Sequence, residues 1–288
     1  MKISVVTISY NQARFLQECI DSVAGQAGDW EHIIVDPGST DGSREIIEAN
    51  RAHFSHIVFE QDNGPADGLN KGFALATGTH GFFINSDDFI LPQAFDAFAD
   101  LTEANPSSDI ILCGGWVVDA DGNPIRRVKP TQASLEGLLN GSSTMFQQGM
   151  LFSMPAYRSV GGFNIKNRIC WDFELLCDLM GSGCQVVRSS HRVGAFRVYS
   201  GAISDPTSNA YNAKLEVEVD RISRKVTGRA LTAGYANAIA RVKRYVFNPW
   251  LLREGAERKL MPRHLARLWN GDKTRETMHG GGRLARRS

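Results

Sequence analysis

No apolar run in this 288-residue chain approaches the roughly 20 residues that a helix needs to cross a bilayer. The start offers no leader-like segment and runs straight into a strand pattern, so the expected location is the cytoplasm. Cysteine is scarce and odd in number: five residues, with no Cys-x-x-Cys pair. Cys170, Cys177 and Cys184 recur every seven residues, which suits packing positions better than metal ligation and implies free thiols in a reducing compartment. No GxxxxGK[ST] loop and no GxGxxG follows the first strand pattern, which removes support for P-loop and dinucleotide-binding readings. The absence of GxSxG does the same for an α/β-hydrolase.

The composition present is that of an ordinary globular protein, 42% hydrophobic and 22% charged. Net charge is +1 but unevenly spread. Residues 1–220 hold 15 Lys+Arg against 27 Asp+Glu, and residues 221–288 hold 17 against 4. An acidic body with a basic extension points to an anionic partner for the extension.

Strand and helix patterns alternate through the first 90 residues. Ile3 to Ile8, His32 to Val35, Ile57 to Glu60 and Phe82 to Ile84 read as strands, with apolar helical spacing between them. This βαβαβαβ order predicts a mostly parallel sheet with helices on both faces. Right-handed crossovers then collect the loops along one edge. Beyond Pro92 the pattern predicts a helix around Phe95–Leu101, a hairpin turning at Asp119–Asn123, and a strand over Gln147–Phe152. A helix over Trp171–Met180 and a last strand over Val193–Val198 follow, and past residue 210 the sequence is helix-like and basic. The glycine-rich end at residues 280–282 is expected to be disordered.

Four acidic stretches stand out at strand or helix ends. Phe82-Phe83-Ile84-Asn85-Ser86-Asp87-Asp88 runs from a buried strand into two adjacent carboxylates, which need a counter-charge; a divalent cation carrying a diphosphate supplies one, and a solvated turn is the alternative. Asp36 ends the second strand and Asp41 sits in the Gly/Ser/Thr loop after it, where a ligand contact competes with simple helix capping. Asp67, Asn70 and Lys71 share one helix face, as ligand contacts or as an exposed ion pair. Asp172, in Trp171-Asp172-Phe173-Glu174, is placed either as a general base or as a favourable charge at a helix start.

In this order and spacing the segments resemble a family 2 glycosyltransferase of the GT-A, Rossmann-like fold, over about residues 1–205. The resemblance is carried by Val5-Val6-Thr7-Ile8-Ser9-Tyr10-Asn11, Val35-Asp36-Pro37-Gly38-Ser39-Thr40-Asp41-Gly42-Ser43, Asp67-Gly68-Leu69-Asn70-Lys71-Gly72-Phe73, Asn85-Ser86-Asp87-Asp88, Val160-Gly161-Gly162-Phe163 and Trp171-Asp172-Phe173-Glu174-Leu175. It implies a nucleotide-binding half (about 1–90), an acceptor half (about 91–205), and inverting transfer from a nucleotide-sugar, most commonly a UDP-sugar. Thr7, Ser9 and Tyr10 would line the nucleotide site, Asp36 would hold the base with Asp41 and Asp67 nearby, and Lys71 would lie near the diphosphate. Asp87 and Asp88 would serve the ribose and a divalent cation (Mn or Mg), Asp172 would activate the acceptor, and Glu174 would stand beside it.

Two positions depart from the family pattern and weaken the expected cation clamp. Asn85 replaces the first acid, and Tyr199 stands where many relatives carry a histidine after Phe196-Arg197-Val198. Arg197 then becomes a candidate for neutralising the diphosphate. The basic extension 206–288 places Tyr245, Phe247 and Trp250 among Arg241, Lys243, Arg244 and Arg253, which suits either an anionic membrane's inner face or a helical hairpin packed on the catalytic domain with a solvated basic face. The expected acceptor is a glycan or lipid-linked hydroxyl in surface polysaccharide or glycolipid assembly, with no nucleic-acid partner. Two rivals are a sugar nucleotidyltransferase, whose usual basic signature loop is missing, and a non-catalytic member of the same fold.

Overall fold

A computed structural model describes residues 1–131, 134–199, 202 and 209–230. The aromatic and basic stretch at 241–253 and the glycine-rich end lie outside the described residues. Among the described residues, no helix is long and apolar enough to cross a membrane.

The chain opens with β1 (Lys2–Ile8), α1 (Ala13–Ala24), β2 (Asp29–Val35), α2 (Ser43–Ala49), β3 (His56–Val58), α3 (Pro65–Ala74) and β4 (His80–Asn85). β1 runs parallel to β2 on one side and to β4 on the other, and β3 joins β2 in parallel. Register is the functional consequence. Ile8 pairs with both Val35 and Asn85, so these three strands end in line. The ladder continues one residue further, through Ser9 N–H to Val35 O (2.9 Å), Asp36 N–H to Val58 O (2.9 Å) and Ser86 N–H to Ile8 O (3.2 Å). The loops carrying Ser9, Asp36 and Ser86 therefore leave the sheet from one edge.

Both faces of this half are covered, which explains its continuous apolar runs. Alternate residues serve opposite cores: Val6, Ile33, Leu69 and Phe83 pack on one face, and Val5, Phe82, Ile84 and Phe98 on the other. α3 approaches β1 closely because Gly72 has no side chain; a Cβ there would lie 2.4 Å from Val6 Cγ1.

Then come β5 (Phe89–Ile90), α4 (Ala94–Ala104), β6 (Ile110–Val118), β7 (Pro124–Val128), α5 (Leu135–Leu139), β8 (Met150–Ser153), α6 (Met154–Ser159), α7 (Trp171–Gly181), β9 (Val186–Arg197) and α8 (Asn209–Thr227). The nine strands form one sheet, ordered β3-β2-β1-β4-β8-β6-β9-β5 with β7 paired to β6. Parallel pairing holds from β3 to β4; beyond it the sheet is mixed. β8 is antiparallel to β4 and β6, while β9 is parallel to β6 and antiparallel to β5.

Three sequence-based boundaries shift. The strand expected over Gln147–Phe152 begins as a 3-10 turn at Gln147–Gly149 and pairs only from Met150. Gly149 sits against the backbone, where a Cβ would meet Cys113 O at 2.2 Å. β9 starts seven residues before Val193: Val186 and Val187 are half-buried, and the polar, mostly exposed run at 188–192 separates them from the apolar end that reads as strand. The first helix of the basic extension, α8, is packed on the body: Ile222 is buried against Leu139, Cys170 and Cys177. Cys170 and Cys177 are thus packing residues, and all five cysteines are free thiols.

β6 and β9 pack closely at Gly115, where a Cβ would fall 2.1 Å from Gly194 O and 2.2 Å from Phe146 Cε1. Gly115→Ala is expected to destabilise the fold by about 1–3 kcal/mol or more, read as a lowered urea midpoint with an unchanged slope.

Candidate active site

The strand-end loops open into a cavity of about 1890 Å³. One half is polar: Ser9, Tyr10 and Gln12 after β1, Gln61 and Asp62 before α3, and Asn85, Ser86 and Asp87 after β4. The opposite half comes from the chain around Phe146, from Trp171, Asp172 and Phe173 at the start of α7, and from α8. Among the described residues, Arg126 is the one basic side chain in the lining.

The two acids after β4 do different things. Asp88 is 1% exposed and absent from the cavity lining. Its Oδ1 accepts from Arg197 N–H (2.8 Å) and its Oδ2 from Gln148 Nε2 (2.7 Å). Burial and the neighbouring Asp87 push its carboxyl well above the usual range. Asp87 faces the cavity instead and accepts the Tyr199 hydroxyl at 2.9 Å. Burial raises its carboxyl too, opposed by that bond and by Arg197. Tyr199 receives Gln12 Nε2 at 3.0 Å and packs on Phe15, ring centroids 4.9 Å apart.

Arg197 is not aimed at a ligand. It is 2% exposed, and Nε donates to Asp87 O (2.8 Å), Nη1 to Ala120 O (2.9 Å) and Nη2 to Glu18. Its guanidinium lies over Phe15 (4.7 Å) and Phe89 (5.4 Å). Each guanidinium nitrogen has a protein partner at the β4 end and Arg197 does not line the cavity, so the expectation that it contacts a diphosphate is corrected.

Several other expected site residues also act one step back from the cavity. Thr7 is fully buried and bonds His32 Nε2 at 2.8 Å; burial holds that imidazole down at about 3, hence neutral. Asp41 ties two loops together: Oδ2 accepts Ala13 N–H (2.9 Å) and Oδ1 accepts Ser43 N–H (3.1 Å) and Oγ (2.6 Å), capping α1 and α2. Asp67 accepts from Asn63 N–H (2.8 Å), and Lys71 Nζ donates to Gln61 O and sits 3.7 Å from Glu60. Both brace the 60–64 loop, and neither lines the cavity. Asp36 is wholly buried: Oδ1 accepts from Gly38 N–H, Ser39 N–H and Arg44 Nε (3.0, 2.8 and 3.0 Å), whereas Oδ2 has no partner.

At α7 the two acids again part company. Asp172 lines the cavity, and burial raises its carboxyl. Glu174, two residues on, points to the opposite side of the helix, since such neighbours do not share a face. It is 0% exposed and bonds Asn164 (3.0 Å), Asn167 (2.8 Å), Lys225 (3.1 Å) and Arg221. Burial alone would raise its carboxyl; these donors, Arg221 foremost, hold it down at about 2. Glu174 fastens α8 to α7, which corrects its placement beside Asp172 in the reaction.

Comparison with known proteins bears on this arrangement. The family model for glycosyl transferase family 2 matches residues 4–159. The chain belongs to that family. A glycosyltransferase of PGL/p-HBAD biosynthesis from Mycobacterium bovis is 26% identical over 79% of this chain and 93% of its own length. An uncharacterised glycosyltransferase from Nostoc, alr2836, is 36% identical over 43% of this chain, an alignment spanning 38% of that protein. Among solved structures, S. aureus TarS 1–349 in complex with UDP-GlcNAc superposes with TM-score 0.63 at 16% identity, covering 86% of this chain and 73% of TarS. The mannosyltransferase PcManGT from Pyrobaculum calidifontis, in complex with GDP-Man and Mn2+, gives 0.60 at 18% identity, covering 96% and 80%. These likenesses show the shared GT-A fold.

For this family 2 member the sequence motifs miss some of the lining. Four buried polar atoms with no partner belong to lining residues: Ser9 Oγ, Asn85 Oδ1, Gln147 Oε1 and Trp171 Nε1. Buried groups of this kind are rare without a partner. Gln147 and Gln148 precede β8 in a segment that read only as strand, and nothing in their spacing signals a site. The division between Asp172 and Glu174 yields a paired test. Glu174→Gln is expected to lower the melting temperature by several degrees, because Arg221 and Lys225 lose their shared partner. Asp172→Asn should melt at or above the wild-type temperature, since it removes a desolvated charge. The Glu174 contribution is fully present above about pH 4.5 and fades as pH falls toward 2.

Proposed function

We propose that this protein transfers a sugar, with inversion, from a nucleoside-diphosphate donor to an acceptor hydroxyl. The observation that carries the reading is the placing of Asp87 and Asp172 in separate walls of one cavity, each with its carboxyl raised by burial. One wall is suited to the leaving diphosphate and the other to the attacking hydroxyl. A single displacement between them inverts the anomeric centre.

Asp36 does not line the cavity, but its Oδ2 is a buried acceptor without a partner at the strand edge behind the donor half, suited to an imino N–H of the base, as in uracil. Ser9 Oγ and Tyr10, the latter 61% exposed, supply further contacts to the nucleoside. The polar half contains no Lys or Arg among the described residues, so the diphosphate lacks a protein counter-charge there. Among the described residues no group of three or more His, Cys, Asp or Glu side chains gathers to hold a metal, but Asp87 and the orphaned Oδ1 of Asn85 are hard oxygen donors of the kind that would hold Mn2+ or Mg2+ together with the diphosphate. Asp88 is withdrawn from that role because both of its oxygens are engaged. Bound there, the cation would offset the charge that develops on the departing diphosphate. PcManGT's complex with GDP-Man and Mn2+ and TarS's complex with UDP-GlcNAc support this class of donor.

Asp172 takes the proton of the acceptor hydroxyl. It must be ionised to do so, and burial shifts its ionisation upward, so activity rises with pH through a limb lying above the ordinary aspartate range. The M. bovis relative's part in PGL/p-HBAD biosynthesis supports a role in glycolipid or surface-glycan assembly. The charge of residues 221–288, 17 basic against 4 acidic, suits work beside an anionic membrane surface.

With a panel of UDP-, GDP- and TDP-sugars and Mn2+, the wild type should release nucleoside diphosphate from one nucleotide class. Asp172→Asn should lower that rate by about 10²–10⁴-fold. Proton NMR of the first product should show the anomeric configuration inverted. No release from any donor, or full activity in Asp172→Asn, contradicts the assignment.

A further inference from the structure

The half of the cavity facing the acceptor combines polar residues such as Asn140, Ser143 and Thr144 with two apolar clusters. Val117, Val128 and Phe146, with Phe196 packed on them, form a small cluster between β6, β7 and β9, and all four line the cavity. Leu139, Phe173 and Leu215, from α5, α7 and α8, belong to a second cluster that also contributes to the lining. Two apolar clusters thus border the same space that holds Asp172.

We infer that the acceptor is amphipathic: a hydroxyl presented to Asp172 and an uncharged alkyl or aryl body lying between the Phe146 cluster and α8. Continuity decides the occupant. Whatever brings its hydroxyl to Asp172 must place its remaining atoms somewhere in this cavity, and the polar half is taken by the donor. Charge decides the body's character. Glu216 and Asp220 of α8 line the cavity together with Asp172, and Arg126 is the one basic lining residue described. An anionic body would meet carboxylates, whereas a neutral apolar one gains by leaving water. Sugar recognition remains possible at the hydroxyl end, where Trp171 Nε1 and Gln147 Oε1 offer an unpartnered donor and acceptor.

α8 is held for this purpose by groups outside the cavity. Arg221 and Lys225 engage Glu174, and Lys225 also reaches Asp178 at 2.7 Å. Leu215 and Val219, one helical turn apart, are left to face the space.

The inference rests on the donor and acceptor halves proposed above, and it is tested on the full-length protein. Calorimetry compares methyl β-D-glucopyranoside with octyl β-D-glucopyranoside, the latter below its micelle-forming concentration, in the presence of uridine diphosphate and Mn2+. The octyl glycoside should bind at least tenfold tighter. Val219→Asp, checked for an intact melting transition, should reduce that preference to less than threefold. Equal affinities for the two glycosides, or an undiminished preference in Val219→Asp, overturns the inference. So does a photo-crosslinker at position 219 that captures residues 231–288 of the same chain in place of the octyl probe. Nucleotide binding without an alkyl preference would defeat this inference alone, while loss of nucleotide binding would defeat the donor assignment beneath it.

Discussion

The site depends on a buried carboxylate that stays out of the cavity lining. Asp88 receives the backbone N–H of Arg197 on one oxygen and the amide of Gln148 on the other. Hydrogen bonds to a charged group contribute about 1.5–3 kcal/mol each, so withdrawing Asp88 to serve a cation would forfeit both. Held in place, Asp88 joins the ends of β4 and β9 and the segment before β8. Arg197 completes the junction by gripping the Asp87 carbonyl, Ala120 and Glu18. Asp87 is the remaining acid, and this framework turns it toward the cavity, with Tyr199 steadying its Oδ2.

The same division of labour recurs around the cavity. Of each neighbouring acid pair, one member builds and the other faces the space. Asp88 and Glu174 are enclosed by donors; Asp87 and Asp172 line the cavity. Asp41 and Asp67 are spent on loop backbone, and Lys71 on the Gln61 carbonyl. The shortage of basic groups among the described residues of the polar half is the ground on which a divalent cation is proposed as the counter-charge, despite Asn85 in place of an acid.

Much of this was legible in the sequence, for definable reasons. Strands buried on both faces leave unmistakable apolar runs, and parallel register puts whatever follows them on one edge, so Ser9, Asp36 and Asp87 could be placed at that edge from position alone. The sequence could not say which of two adjacent carboxylates turns inward, because that depends on partners 60 to 109 residues away. Arg197 looked like a ligand contact for the same reason. The polar run within β9 and the turn at Gln147 lacked any period to read, and the cavity wall contributed by α8 required tertiary packing through Glu174 to become visible.

The central claim is that the polar half binds a nucleoside diphosphate through a cation held at Asp87. Its most direct test is calorimetric titration of the full-length protein with uridine, guanosine and thymidine diphosphates, each with Mn2+, with Mg2+ and with chelator, on wild type and Asp87→Asn. The account predicts micromolar binding of one nucleotide, abolished by chelator and weakened at least tenfold in Asp87→Asn. Tight binding that ignores both chelator and the substitution would contradict it and would require a protein counter-charge beyond the described residues of the polar wall.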